Sequence, residues 1–175
     1  MQRRPRFKGG DQGFSAIAQS PEHAAALGTL AAAFAELEHS LVMAFQFLTG
    51  TPYYKAEIVM FALSNHRARY DIIKSLGETI ALDDVKQDFL ALIKDMPSLA
   101  TKRNKYFHST WIRDDTSAEI FVLNHKVPSQ HQDRTKPVSS DDLFKVAMDC
   151  TLKARAISTF FAELHASGRS QSAFA

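Results

Sequence analysis

The sequence predicts an all-α fold, an antiparallel helical bundle of four to five helices with a small β-hairpin insertion. Three observations carry this. Apolar residues recur at alternating spacings of three and four in several separate stretches, the pattern of helices that bury one face. Helix-starting residues open those stretches, and glycines punctuate their ends. Between Trp111 and Val138 the helical period fails, and a short β-branched and aromatic run replaces it.

The first helix starts at Ser20-Pro21-Glu22, which offers a capping side chain, a proline at the first helical position and an acid in the first turn. Leu27, Leu30, Phe34, Leu37, Leu41, Ala44 and Leu48 form its buried seam. Gly50 closes it and Thr51-Pro52 opens the next element. A second helix is expected from about Tyr53 to Leu76, with Val59, Ala62, Leu63, Tyr70, Ile73 and Leu76 inward. Gly77 and Leu82-Asp83-Asp84 mark its end and a new start. The third segment carries Val85, Phe89, Leu92, Met96 and Leu99, with a kink or restart expected at Pro97. Thr110-Trp111-Ile112 and Glu119 to Leu123 pair as a hairpin around the turn residues Asp114 to Ser117. Residues 124 to 138 read as an exposed loop. Ser139-Ser140-Asp141-Asp142 caps a last helix with Leu143, Val146, Cys150, Ala154, Ile157, Phe161 and Leu164 inward, and Gly168 ends it.

A chain of 175 residues points to one domain. The boundaries read as a flexible basic arm over 1–20, the bundle over 21–168 and a disordered tail over 169–175. Hydrophobic residues at 45% and charged residues at 23% suit a globular fold and exclude a disordered one. One cysteine, Cys150, excludes an internal disulfide and a cysteine-based zinc site. No apolar run exceeds six residues, as in Leu30 to Ala35, against the roughly 20 a membrane span needs. The basic N-terminus lacks a following apolar core, so no secretory signal is read and a cytoplasmic setting is expected. The net charge of +2 is uneven, because Arg3, Arg4, Arg6 and Lys8 face only Asp11 in the arm. That arm suits either an anionic polymer or plain solvation.

The chemically unusual segment runs from Lys102 to Trp111. Continuing the third seam past Leu99 brings Arg103 to the next inward position, and an arginine is seldom buried without a partner. Either it pairs with a carboxylate such as Glu36 or Glu38 on the first helix, or it snorkels out at the bundle's end, or it is set in a crevice to receive a phosphate. His108 lies one turn after Asn104 and shares its face. Arg103 and His108 differ by about 140° around an ideal helix, a loose pair for one helix alone.

Arg103-Asn104 followed by His108 resembles the R-x4–6-H motif of the HEPN superfamily, including the polar residue after the arginine. The layout over residues 21–167 resembles it too, with long amphipathic helices and the motif near the end of a late one. The acids Glu36 and Glu38 are similar to those of bacterial members. Ser109 departs from the glycine that follows the histidine in many relatives. The resemblance implies a metal-independent endoribonuclease, often a toxin or defence component paired with an antitoxin, acting as a homodimer with both motifs in one cleft. His108 would serve as base or acid toward the 2′-hydroxyl and leaving group. Arg103 would hold the phosphate in a bidentate fork, and Asn104 would orient His108 or touch phosphate. Lys102, Lys105 and Arg113 would add cationic charge for RNA, with no cofactor and no metal required. Tyr106, Phe107 and Trp111 would either stack bases or pack the hairpin.

Other constellations are weaker. Glu36-x-x-His39 fits one half of a di-iron site, but no second copy occurs and both residues fall off the apolar stripe. His125 and His131 flank a loop without a compact ligand set. Asn65, His66, Arg67 and Arg69 form a polar stretch in the second helix, a satisfied structural network or a lining of the same cleft, and Glu36 and Glu38 read as further structural polar partners. The rival to catalysis is a dimeric bundle binding a nucleotide or partner protein, with Arg103 as anchor.

Overall fold

The computed structural model describes residues 16–114, 116–124 and 136–169. Most of the basic arm, the loop carrying His125 and His131, and the tail beyond Arg169 lie outside the described residues. The fold is the expected helical bundle with a β-hairpin. In chain order a 3-10 turn at Ala16–Gln19 precedes α1 (Pro21–Thr49), α2 (Tyr53–Ala62), α3 (His66–Glu78), α4 (Asp83–Ile93) and α5 (Met96–Phe107). The hairpin β1 (Ser109–Arg113) and β2 (Ile120–Asn124) follows, then α6 (Ser140–Ala166). No described helix is long and apolar enough to cross a membrane.

The stretch read as one domain groups into two compact units. One takes the described residues of 1–32 and 101–147, the other those of 33–100 and 148–175.

In the second unit the α1 seam is buried as expected at Phe34, Leu37, Leu41 and Ala44. Gly50, with φ of 63°, ends the helix in the left-handed conformation that a side chain disfavours. The expected single helix from 53 to 76 is a correction: it is two. Leu63 and Asn65 are extended, and the Asn65 side chain accepts the Ala68 N–H at 2.8 Å, starting α3 afresh. Arg69 secures the break, donating Nε to the Met60 carbonyl at 2.9 Å and Nη2 to the Leu63 carbonyl at 3.0 Å. These are carbonyls at the end of α2 that no further helical turn supplies with donors. The break also resets the helical phase, so Val59 and Ala62, expected inward, are exposed, while Ala56 and Met60 are buried.

Helices α3 and α4 pack where Gly77 meets Phe89, whose ring also lies 5.6 Å from Phe160 and 5.5 Å from Phe161. The third helix restarts as expected. Pro97 falls in the first turn of α5, where its missing N–H costs nothing, and Lys153 Nζ donates to the Leu92 carbonyl near the end of α4 at 2.7 Å. Ile157, Phe161 and Leu164 of α6 complete this core.

The other unit is built on the hairpin. Its antiparallel register pairs Trp111 with Val122 and Arg113 with Ile120. Asp114 Oδ1 accepts the Thr116 and Ser117 N–H groups at 2.7 and 2.9 Å and shapes the turn, in which Ala118 takes a φ of 60°. Val138, expected in the exposed loop, is instead buried, and its N–H donates to the Ile120 carbonyl at 2.7 Å. His23, buried on α1, places Nε2 2.8 Å from the Val138 carbonyl and Nδ1 2.6 Å from Ser20 Oγ. That Ser20 hydroxyl also holds the Glu22 carboxyl below its ordinary range.

Candidate functional site

The site is built on the last turn of α5. Continuing the α5 stripe from Met96 and Leu99, both buried, brings Arg103 to a half-buried position. Its Nη1 donates to Asn104 Oδ1 at 3.0 Å, and its Cζ lies 4.3 Å from the centroid of the Phe107 ring. A guanidinium over an aromatic face at that distance is a cation–π contact. Asn104 is exposed. His108 is exposed directly after the helix, its backbone N–H still donating to the Asn104 carbonyl at 3.0 Å. Arg103, Asn104 and Phe107 thus form one contacting group, and His108 is covalently the next residue.

The surroundings are cationic. From Met96 to Arg113 the chain carries Lys102, Arg103, Lys105 and Arg113 and no acid. Lys102, Lys105 and Arg113 are all exposed. Lys105 sits in the last turn of α5, where the helix dipole favours positive charge. The Ser109 hydroxyl bonds the Lys105 carbonyl and closes the helix end.

Tyr106 takes the packing role rather than the base-stacking one. It is buried, its ring stacked on Trp111 at 6.2 Å, and its carbonyl accepts Trp111 Nε1–H at 3.1 Å. Burial first, and then the Asp142 carboxylate, push its hydroxyl pKa up. Trp111 is buried as well, its ring also 6.4 Å from His23 in an edge-on arrangement. Phe107 is the residue whose role the sequence did not reveal. Its spacing of four from Arg103 was the available signal.

The polar network of the other unit takes partial form. Arg69 Nη1 donates to Glu38 Oε1 at 2.7 Å, and the Arg69 side chain is 12% exposed. Arg67 pairs on the surface with Asp71. His66 departs from the expected satisfied network: both its ring nitrogens are buried without a hydrogen-bond partner. Its Nδ1 lies 3.8 Å from Glu38 and its ring 5.0 Å from Phe34. Glu36 and His39 are exposed, as their place off the stripe requires, and Glu36 receives the Thr151 hydroxyl at 3.5 Å. Among the described residues, no three His, Cys, Asp or Glu side chains are grouped to hold a metal ion.

No family model, curated protein or solved structure matches this chain.

Proposed function

We propose that the chain is a HEPN-type, metal-independent endoribonuclease, a toxin or defence component of the cytoplasm. The observation that supports this reading is the arrangement at the end of α5. Arg103 is held by Asn104 at 3.0 Å, and an exposed His108 follows the same helical turn, in a stretch of four cations and no acid. RNA cleavage by its own 2′-hydroxyl requires a base for that proton, an acid for the leaving oxygen and positive charge at the phosphorane. His108 supplies the imidazole and Arg103 the charge. In a two-fold homodimer the second copy supplies the complementary acid and a second arginine. Lys102, Lys105 and Arg113 draw the polyanion in, and an antitoxin protein would mask this surface.

The test is cleavage of single-stranded RNA with EDTA present. Removing a general acid–base group costs on the order of 10²–10⁴-fold, so His108→Ala and Arg103→Ala should each lose at least 100-fold in rate. Equal activity in wild type and both variants would remove the mechanism.

One observation favours a second reading, a binding module. Helix α2 buries Ala56 and Met60 yet exposes Tyr54, Ile58, Val59 and Phe61, an apolar face of the kind that partner proteins cover. On that reading Arg103 anchors a nucleotide phosphate or a partner's carboxylate, and the RNA assay returns no cleavage.

A further inference from the structure

We propose that Phe107 is the positioning residue for Arg103, its ring setting the plane from which the guanidinium meets a phosphate. The proposal rests on the nuclease reading for the identity of that anion. Phe107 follows Arg103 by four residues and shares its helix face. Side chains on a helix lean toward its N-terminus, so the ring is laid back over the turn that carries Arg103. The Cζ stands 4.3 Å from the ring centroid, well inside the 6 Å range of a cation–π contact.

Two of the guanidinium's contacts come from different groups. On this proposal the ring, 4.3 Å from Cζ, sets the plane, and Asn104 Oδ1, 3.0 Å from Nη1, limits rotation within it. A bidentate fork binds phosphate only when its two N–H bonds lie in the plane of the oxygens they meet. Losing the ring keeps the charge and loses the orientation. Phe107 also ends α5 and is bonded directly to His108, so one residue ties the anion-binding group to the imidazole.

The experiment uses the full chain and the variants Phe107→Leu and Phe107→Tyr. With 15N-labelled arginine, the Arg103 Nε–Hε resonance is assigned by its loss in Arg103→Lys. The expected result is a ring-current shift in wild type and in Phe107→Tyr, absent in Phe107→Leu. Steady-state cleavage of a single-stranded RNA oligonucleotide supplies the second readout. A misplaced group costs on the order of 100-fold, and Phe107→Leu should lose that much kcat/KM, mainly in kcat, with Phe107→Tyr restoring most of it. If Phe107→Leu does not fold, Phe107→Met, apolar and ringless, takes its place in both readouts. An Arg103 resonance unshifted in wild type, or an unchanged kcat/KM in the ringless variant, overturns the proposal. Should the wild-type chain cleave no RNA, the nuclease reading fails, and the resonance alone decides the role of Phe107.

Discussion

Gly77 lies so close to Phe89 that a β-carbon at position 77 would stand 2.7 Å from both Cδ1 and Cε1 of that ring. This contact sets how near α3 and α4 approach. Phe89 is fully buried and held against Phe160 and Phe161, so its ring has no room to retreat. In Gly77→Ala the gain in helix propensity, about 1 kcal/mol, opposes an overpacking cost of about 1–3 kcal/mol, and the clash prevails. Urea unfolding should show a net loss of up to about 2 kcal/mol. Gly28→Ala is the control, exposed on α1 with nothing within 4 Å of an added β-carbon, and it should gain about 0.5–1 kcal/mol. A stabilised Gly77→Ala would mean that the two helices are free to separate.

Arg69 stabilises by serving three acceptors at once. Replacing it with Met leaves the Met60 and Leu63 carbonyls without this donor and removes the 2.7 Å partner of Glu38. Breaking a buried pair costs about 3–5 kcal/mol, and Glu38 is 26% exposed, so the lower end is expected, about 3 kcal/mol. Glu38→Gln keeps an acceptor for the guanidinium and should cost less than half as much. Equal losses in the two variants would show that the carboxylate charge, rather than the carbonyl contacts, holds the α2–α3 break.

His66 reverses the usual expectation for a buried polar residue. Its two ring nitrogens have no hydrogen-bond partner, yet both lost water on burial. An unsatisfied buried polar group costs about 1–3 kcal/mol, so His66→Leu, close in volume, should raise the thermal midpoint by relieving about 1 kcal/mol. A fall in the midpoint would show that the 3.8 Å approach to Glu38 is a working ion pair.

The start of α6 makes stability depend on acid. The Ser139 backbone N–H donates to Asp142 Oδ2 at 2.9 Å, and the Asp142 N–H returns to Ser139 Oγ at 3.1 Å, a reciprocal cap. The Ser139 backbone N–H, chiefly, and then its hydroxyl hold the Asp142 carboxyl below its ordinary range, with burial opposing. A carboxylate depressed in the folded state stabilises at pH values above its unfolded value of about 4. That contribution is lost as pH falls below this value and through the folded one. Asp142→Asn should therefore flatten the acid limb of the stability curve, and Ser139→Ala should cost about 1 kcal/mol near neutrality. An acid limb unchanged by Asp142→Asn would assign it to other carboxylates, such as Asp84 beside Arg169.

Legibility in the sequence followed from how local each cause is. Gly50, Pro97 and the Ser139 cap act within a few residues, and each boundary lies where those residues place it. The α6 stripe from Leu143 to Leu164 was readable because no break interrupts its phase. The stripe through Val59 was misread because Asn65 restarts the helix without a glycine or proline to announce it. The Arg69 side chain that secures the break reaches back nine residues to Met60. At the site, the inward phase of Arg103 and the exposure of His108 follow from α5. The cation–π contact of Arg103 with Phe107 depends on side-chain direction, which residue spacing only permits.

The central claim is that Arg103 and His108 cut RNA through its 2′-hydroxyl, and the chemistry of the cut ends tests it most directly. Fragments of a single-stranded RNA incubated with the wild-type chain in EDTA should carry 2′,3′-cyclic phosphate and 5′-hydroxyl termini, and His108→Ala should yield none. Fragments ending in 5′-phosphate, or the same ends from His108→Ala, would contradict it.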